Sequence, residues 1–424
     1  ALPVTRLFFP SAPIHLFLKV AMTLNQIAEA YVKLVLAVGQ HDGSYVDAYY
    51  GPAEWQTDTA KRPLTDLLSD ADQLLLQFST LSAPSADQRL RQDFLMPQLA
   101  SVRAYISQLS GAHLSFDDES IALYDAQSPI LREADFDLIL AELDQLLPGE
   151  GDLNARLSTY HRGFEIPRDK LDAVFTAAIN ESRARTKKYI SLPDEEDFKI
   201  EYVKDQVWSA YNWYQGNSYS LIQVNTDFPM FISRAIDLAS HEGYPGHHVF
   251  NLLMEKHLVN DKGWMEYCIY PLYSPMSFLA EGSANYGISV AFPEVERLRF
   301  EKDILFPLAG IDPAQADLYY RVQAVLQKLS YAGNMVAKRY LDGEVDRLTA
   351  IKLLMKYALS DEKRSTQRIA FIEKNRSYVI NYNLGQDVVK NYIEQRAGKV
   401  DEPHRWQVFT DLLMCPRTAS MMGQ

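Results

Sequence analysis

The segment that most restricts how this chain can fold runs from His241 to His248 and reads His-Glu-Gly-Tyr-Pro-Gly-His-His. A His-Glu pair followed by a second His is typical of helices that present two imidazoles and a catalytic carboxylate to one metal ion. In the usual spacing the histidines are four residues apart and share one helix face. Here the second histidine comes six or seven residues after His241.

Helix geometry shows why this spacing matters. On a regular helix His248 would share the face of His241 but lie about 10.5 Å further along the axis. Two nitrogens that each bind one zinc ion at about 2.0–2.1 Å cannot span that distance. His247 would point to the far side of the same helix. A regular helix therefore cannot build a metal site from these histidines.

The residues between the histidines favour a break in the helix. Pro245 lacks an N–H and would clash with the carbonyl group of His241, and the two glycines can adopt backbone angles that other residues avoid. A bulge of two residues after Glu242 would bring His241 and His247 together. Bulges of the π type occur frequently at functional sites. The alternative is an ordinary Gly-Tyr-Pro-Gly turn with no bound metal.

A second segment supplies a further ligand candidate. Glu281 lies in the small and apolar run from Phe278 to Tyr286, where a second helix is expected. A carboxylate is costly to bury unless it is paired or binds a metal. Two His and one Glu, with an open position for water, form the ligand set of hydrolytic zinc sites. A salt bridge to an Arg or Lys is the alternative explanation for Glu281.

The two motifs resemble those of the DUF885 family, bacterial proteins allied to the gluzincin metallopeptidases. The first family motif usually reads His-Glu-x-x-Pro-Gly-His-His-x-Gln, and this chain matches it through His248 but has Phe250 in place of Gln. The second reads Glu-Gly-Trp-Ala-Leu-Tyr, and here Ser283 and Asn285 replace Trp and Leu. The resemblance extends from about Asn25 to the C-terminus.

This resemblance implies a mainly α protein with a large helical, gluzincin-like peptidase fold. It implies one Zn2+ ion per chain, held by His241, His247 and Glu281, with Glu242 as the general base. Of the two adjacent histidines it favours His247, because the family more often varies the position of His248.

Hydrolysis at zinc also needs a donor that stabilises the developing oxyanion. The polar and aromatic stretch before Gly385 offers Arg376, Tyr378 and Tyr382. The resemblance favours Tyr382, because Tyr382 and Gly385 match a Tyr-x-x-Gly element of the family. Simple packing is the alternative, since the chain has 25 tyrosines. A further family segment, Asp-x-Gly-x-His, keeps only its glycine here, as Gly333.

Composition excludes several kinds of partner. The 55 acidic and 42 basic residues give a net charge of −13, which argues against nucleic acid or an anionic membrane as a partner. The two cysteines, Cys268 and Cys415, make a disulfide framework unexpected. At 424 residues the chain is long enough for one large helical domain or two lobes.

The sequence pattern also predicts the organisation of the chain. Residues 1–21 form a lead segment that we expect to lie outside the fold. Its apolar residues are too interrupted to span a bilayer and do not form a clear signal peptide. The absence of both features favours a cytoplasmic location. Helical periodicity predicts an N-terminal helical lobe at 22–190 and a metal-binding catalytic lobe at 191–424, or one continuous domain. Alternating residues predict strands at 198–203 and 219–225, in a small β-sheet beside the metal site. An edge strand there could pair with an extended peptide.

We therefore expect a zinc-dependent hydrolase, first of all a metallopeptidase that uses a zinc-activated water and Glu242 as its base. Its partner would be a peptide or a small amide substrate. Two alternatives stay open at this point. One is a metallohydrolase of a non-peptide amide or ester, and the other is a metal-free helical binding protein that keeps the peptidase fold.

Overall fold

The protein is mainly α, as the sequence predicts. The computed structural model describes residues 21–57, 60–398 and 401–423, so the predicted lead segment lies almost entirely outside the described residues. The helices that precede the larger sheet are α1 (Leu24–Gly39), α2 (Ala53–Gln56), α3 (Leu64–Phe78), α4 (Ala86–Leu109), α5 (Phe116–Tyr124), α6 (Glu133–Leu146), α7 (Leu153–Arg162) and α8 (Leu171–Lys187).

The helices that follow this sheet carry both sequence motifs. They are α9 (Ser233–Leu238), α10 (His247–Leu253), α11 (Pro275–Ala291), α12 (Glu294–Phe300), α13 (Phe306–Ala309), α14 (Ala316–Lys328), α15 (Ala332–Leu341), α16 (Arg347–Tyr357), α17 (Glu362–Asn375), α18 (Ile380–Ala397) and α19 (Glu402–Met414). Single stretches of wider π-helix occur at Ala239–Gly243, Met254–Asn260 and Glu301–Leu305.

Two small sheets complete the fold. The strands are β1 (Val46–Tyr49), β2 (Asp197–Val203), β3 (Ala210–Tyr214), β4 (Tyr219–Asn225) and β5 (Ile269–Pro271). β1 pairs antiparallel with β5, and the larger sheet has the order β2-β4-β3, with β2 parallel and β3 antiparallel to β4. The two predicted strands are confirmed as β2 and β4, but β4 is central, so β3, which the pattern did not predict, is an edge of this sheet.

One buried core extends through residues of both predicted lobes, from Leu24 in α1 to Met422 near the C-terminus. The pairing of β1 with β5 also joins residues far apart in the sequence, since Val46 lies opposite Pro271. The division of the chain into two lobes at residue 190 stays a prediction. A core shared by both lobes is what we expect of the alternative, one continuous domain.

Helix α11 lies at the centre of the packing that forms the site. Ser274 caps it by accepting a hydrogen bond from the backbone N–H of Ser277, and Pro275 occupies its first turn. Its residues are small or apolar on nearly all sides, and almost all of them are buried. A helix that is apolar all round belongs in the interior of a large protein.

The contact between α11 and α18 depends on two glycines. A Cβ atom added at Gly282 would overlap with the backbone of Gly385, and one added at Gly385 would lie 2.9 Å from the carbonyl oxygen of Phe278. The two helix backbones therefore touch at this point. Their close approach brings Glu281 of α11 beside Tyr382 of α18.

We predict that Gly282→Ala destabilises the protein by about 1–3 kcal/mol, because the added methyl group forces the two helices apart. Gly385→Ala should cost less, since its added Cβ meets its nearest neighbour at 2.9 Å. Urea unfolding of both variants measures the change in the free energy of unfolding. Gly43→Ala is the matched control, because nothing lies within 4 Å of a Cβ at Gly43; equal stability of all three variants would contradict the backbone contact.

Candidate metal centre

The predicted bulge is present between the two histidines. Residues Ala239–Gly243 form π-helix, Tyr244 is extended with φ −127° and ψ 116°, and α10 begins at His247. The peptide bond between Tyr244 and Pro245 is cis. The backbone folds back so tightly that a Cβ atom at Gly246 would overlap with the carbonyl oxygen of His241. Only glycine fits there.

This backbone path brings three candidate ligand atoms together. Nε2 of His241 lies 3.1 Å from Nε2 of His247, and Oε2 of Glu281 lies 3.1 Å and 3.5 Å from these two nitrogens. A tetrahedral zinc ion with ligands at about 2.0–2.1 Å holds its ligand atoms about 3.3 Å apart. The spacing of all three predicted ligands therefore fits a single zinc ion.

The three groups of this triad also interact electrostatically, and one of their ligand atoms has no hydrogen bond. Oε2 of Glu281 is buried and has no hydrogen bond of good geometry among the described residues. Burial alone would raise the pKa of Glu281, but His247 and His241 hold it well below the usual value. Burial would likewise lower the pKa of His247, yet Glu281 outweighs it and raises the pKa to about 9. A buried carboxylate and two imidazoles that converge in this way form the donor set of a zinc site.

Asn285 orients His241 for this role. Nδ1 of His241 lies 2.8 Å from Oδ1 of Asn285, whose amide nitrogen donates to the backbone oxygen of Tyr382 at 2.8 Å. The amide oxygen of Asn285 therefore faces the imidazole and accepts, so Nδ1 of His241 carries the proton. Nε2 then presents its lone pair toward His247 and Glu281. Such partners commonly fix the tautomer of a metal-binding histidine.

His248, the other candidate, points away into a buried polar network. Its Nδ1 lies 2.7 Å from the hydroxyl of Ser220, and its Nε2 lies 3.0 Å from Oε2 of Glu196. Tyr244 donates to the same carboxylate oxygen at 2.6 Å, and Arg183 donates to the other oxygen at 2.7 Å. Both nitrogens of His248 are thus occupied, and the geometry favours His247 as the second ligand.

Glu242 lies beside the triad. Its carboxylate and the ligand atoms of His241 and His247 all lie within 4.8 Å of one another, while Oε2 of Glu281 lies 3.1 Å and 3.5 Å from the two imidazole nitrogens. Its side chain is buried and its backbone oxygen accepts a hydrogen bond of 2.8 Å from Asn212 of β3. Burial raises the pKa of Glu242, although the two histidines oppose the shift. The distances therefore favour Glu281 as the third ligand, and the carboxylate of Glu242 lies beside the two imidazoles.

The three candidate oxyanion donors differ in position. The ring of Tyr382 lies 6.5 Å from the ring of His241, and burial followed by the charges of Glu281 and Glu242 raises its pKa well above the usual value. Tyr378 is close too, but its hydroxyl donates to Oε1 of Glu281 at 2.7 Å. Tyr382 thus borders the site and Tyr378 holds a ligand.

The third candidate, Arg376, is engaged elsewhere. The Nε–H of its guanidinium donates to Oε2 of Glu119 at 2.6 Å. Its role as an alternative oxyanion donor stays a prediction.

Sequence reasoning missed Asp47 of β1. Burial is the main reason that the pKa of Asp47 is raised to about 6. The charges of His247, which lowers this pKa, and of Glu281 and Glu242, which raise it, also act on the carboxyl group, so it lies near the triad. The hydroxyl of Tyr211 donates to Asp47. No local pattern around Asp47 signals this role, because the pairing of β1 with β5 is what carries it to the site.

Comparisons with known proteins support the fold and no more. No family model matches the chain, and no curated protein matches it. The solved structure of a proposed lipoprotein from Colwellia psychrerythraea aligns with a TM-score of 0.51 and 15% identity, covering 85% of this chain and 68% of that chain. A proposed lipoprotein of unknown function from Shewanella oneidensis aligns with a TM-score of 0.40 and 14% identity, covering 82% of this chain and 71% of that chain. The first similarity shows a shared fold, and DUF885 stays a resemblance.

In the described part of the chain, no helix is both long enough and apolar enough to cross a bilayer.

We predict opposite effects for the two adjacent histidines. His247→Ala should lose the metal, because it removes one corner of the triad. His248→Asn should keep it and instead lower the free energy of unfolding by about 1–3 kcal/mol, because Glu196 loses one of its buried hydrogen-bond partners. Metal content after addition of zinc and dialysis, together with urea unfolding, separates the two effects. Loss of metal in His248→Asn alone would reverse the ligand assignment.

We also predict that Asn285→Leu, which restores the residue common in the DUF885 motif, weakens zinc binding roughly 10–100-fold. The leucine cannot accept the proton of Nδ1, so His241 loses its fixed tautomer and orientation. Competition with a coloured zinc chelator measures the affinity. Asn285→Asp keeps an acceptor at this position and should bind zinc more tightly than the leucine variant; equal affinity of wild type and Asn285→Leu would show that Asn285 does not orient His241.

Proposed function

We propose that this protein is a zinc-dependent hydrolase, first of all a metallopeptidase. The observation that carries the proposal is the convergence of Nε2 of His241, Nε2 of His247 and Oε2 of Glu281 within 3.5 Å of one another. A second carboxylate, that of Glu242, lies within 4.8 Å of the two imidazoles. Three ligands and a nearby base are the parts that hydrolytic zinc sites have in common.

The chemistry follows from the roles of these residues. A zinc ion bound to the triad would lower the pKa of a water ligand toward about 7 and polarise the scissile carbonyl group. Glu242 would accept a proton from the attacking water and pass it to the leaving amine. Its pKa, raised by burial, makes the protonated form easier to reach near neutral pH. Tyr382, which borders the site, donates its O–H to the developing oxyanion.

The sheet favours a peptide over a smaller amide. Strand β3 is joined to the π-turn by the hydrogen bond from Asn212 to the backbone oxygen of Glu242 at 2.8 Å. It is also an edge strand of its sheet in the described residues. Trp213 on the same strand is 41% exposed, which leaves apolar surface near the site for a side chain. An extended peptide can pair with such an edge through its backbone.

Two other functions are compatible with the same residues. A metallohydrolase of a non-peptide amide or ester would use the same triad, and a library of peptides and small esters distinguishes the two. A metal-free binding protein would show no zinc after reconstitution. The cytoplasmic location stays a prediction, and the two similar structures, described as proposed lipoproteins, would favour the cell envelope instead.

We predict that Glu242→Gln binds zinc as the wild type does but hydrolyses peptides about 100–10,000-fold more slowly, because it cannot accept a proton. Glu281→Ala should lose both zinc and activity. Zinc content and initial rates on a peptide library measure the two properties. Glu195→Gln, at an exposed position, is the matched control. Full activity of Glu242→Gln would exclude Glu242 as the base, and absence of zinc from the reconstituted wild type would favour the binding protein.

A further inference from the structure

Arg368 of α17 is an arginine with no anionic partner. Among residues 21–57, 60–398 and 401–423 it forms no ion pair or hydrogen bond, and desolvation by the surrounding protein is the one cause that lowers the pKa of its guanidinium. Two arginines that are more deeply buried are paired, Arg91 with Glu266 and Arg297 with Asp237. A guanidinium that protein desolvates on most sides, and that has no anionic partner, gains by binding an anion from solution.

Arg368 lies between two anchor points of α17. Toward the start of the helix, Arg364 stacks on Phe228 and Phe231 at 5.2 Å and 5.4 Å, just after the larger sheet. Toward its end, the ring of Phe371 lies 6.4 Å from that of Tyr382 at the triad. Residues three and four apart share a helix face, so all three side chains of α17 point the same way.

The guanidinium is also fixed against α15. A Cβ atom at Gly333 would overlap with Nη2 of Arg368, so the arginine lies directly on the helix backbone there. The next residue, Asn334, donates to Asn383 at 2.7 Å, and Asn383 follows Tyr382 in α18. Arg368 is therefore tied through a short series of contacts to the residue that borders the triad.

Arg368 is nevertheless exposed to solvent. A side chain that water reaches, but that is desolvated by protein on most sides, lies on the wall of a cleft. Arginine binds a carboxylate through two parallel hydrogen bonds, which gives both affinity and orientation.

We propose that Arg368 binds a carboxylate of the substrate, and that this carboxylate is the C-terminus of a peptide, so that the enzyme is a carboxypeptidase. The inference rests on the proposed peptidase function and specifies its substrate class. Phe371 and Arg368 are separated by about 4.5 Å along the helix axis, and one extended peptide residue spans about 3.3 Å. The free carboxylate would thus lie one or a few residues beyond the bond that is cleaved.

An Asp or Glu side chain near the end of a peptide also offers a carboxylate to Arg368. The substrates must therefore distinguish a C-terminal carboxylate from a side-chain carboxylate. Three peptides serve: acetyl-trialanine with a free C-terminus, its C-terminal amide, and the amide with Asp as the last residue. The zinc-loaded wild type should cleave the first at least about tenfold faster than the second, the loss expected for one charged hydrogen-bonded pair. Faster cleavage of the third peptide than of the first would show that Arg368 binds a side-chain carboxylate, and would overturn the proposal that the enzyme is a carboxypeptidase.

Two variants test the residue. Arg368→Gln removes the charge and should bring the ratio of rates for free acid and amide close to one, while the rate for the amide stays nearly constant. Gly333→Ala keeps the charge but displaces the guanidinium, and should reduce the same ratio. Arg299→Gln, at an exposed position of α12, is the control for loss of a positive charge and should leave the ratio unchanged. A ratio that Arg368→Gln does not change overturns the proposal.

A binding measurement separates this proposal from the proposed function. Zinc-loaded Glu242→Gln protein, which should not turn over substrate, is titrated with the free acid and with the amide by calorimetry. Tighter binding of the free acid that disappears in Glu242→Gln/Arg368→Gln supports the carboxylate site even if the wild type cleaves neither peptide. Equal binding of acid and amide overturns it even if the wild type is an active peptidase.

Discussion

The structure around the site depends on a buried carboxylate that faces two imidazoles. Oε2 of Glu281 lies 3.1 Å and 3.5 Å from the histidine nitrogens, in an interior where an uncompensated charge would be costly. Two of the three groups are also held by a further neighbour: Tyr378 donates to Oε1 of Glu281, and Asn285 accepts from His241. Partners of this kind fix the orientation of the carboxylate and of the imidazole.

Two tight backbone contacts make this arrangement possible. Gly246 lets the chain fold back against the carbonyl oxygen of His241, which places His247 beside His241 although six residues separate them. Gly282 lets α11 touch α18 at Gly385, which places Glu281 within reach of both histidines. In each case a Cβ atom would occupy the space that the neighbouring backbone needs.

A second polar network, centred on Glu196, packs against the turn that carries the first motif. Glu196 accepts hydrogen bonds from Tyr244 and Arg183 and lies 3.0 Å from His248, all within or against the turn that carries the motif. Burial alone would raise the pKa of Glu196, but its hydrogen bonds, that of His248 first, hold it at about 2. The charged carboxylate of Glu196 thus holds the bulged turn in place. His248 contributes to this structural network, while its neighbour His247 belongs to the triad.

The sequence by itself determined the helical class, the strands β2 and β4, the bulge and the set of candidate ligands. These follow from local rules, since Pro245 cannot continue a helix and the periodicity of a segment is visible in its own residues. Only the tertiary structure decided that His248 faces a buried network, that Asp47 and Asn285 border the triad, and that Arg368 has no anionic partner among the described residues. Those facts depend on which distant helices and strands touch, and that is set by packing across the whole core, which no short stretch of sequence encodes.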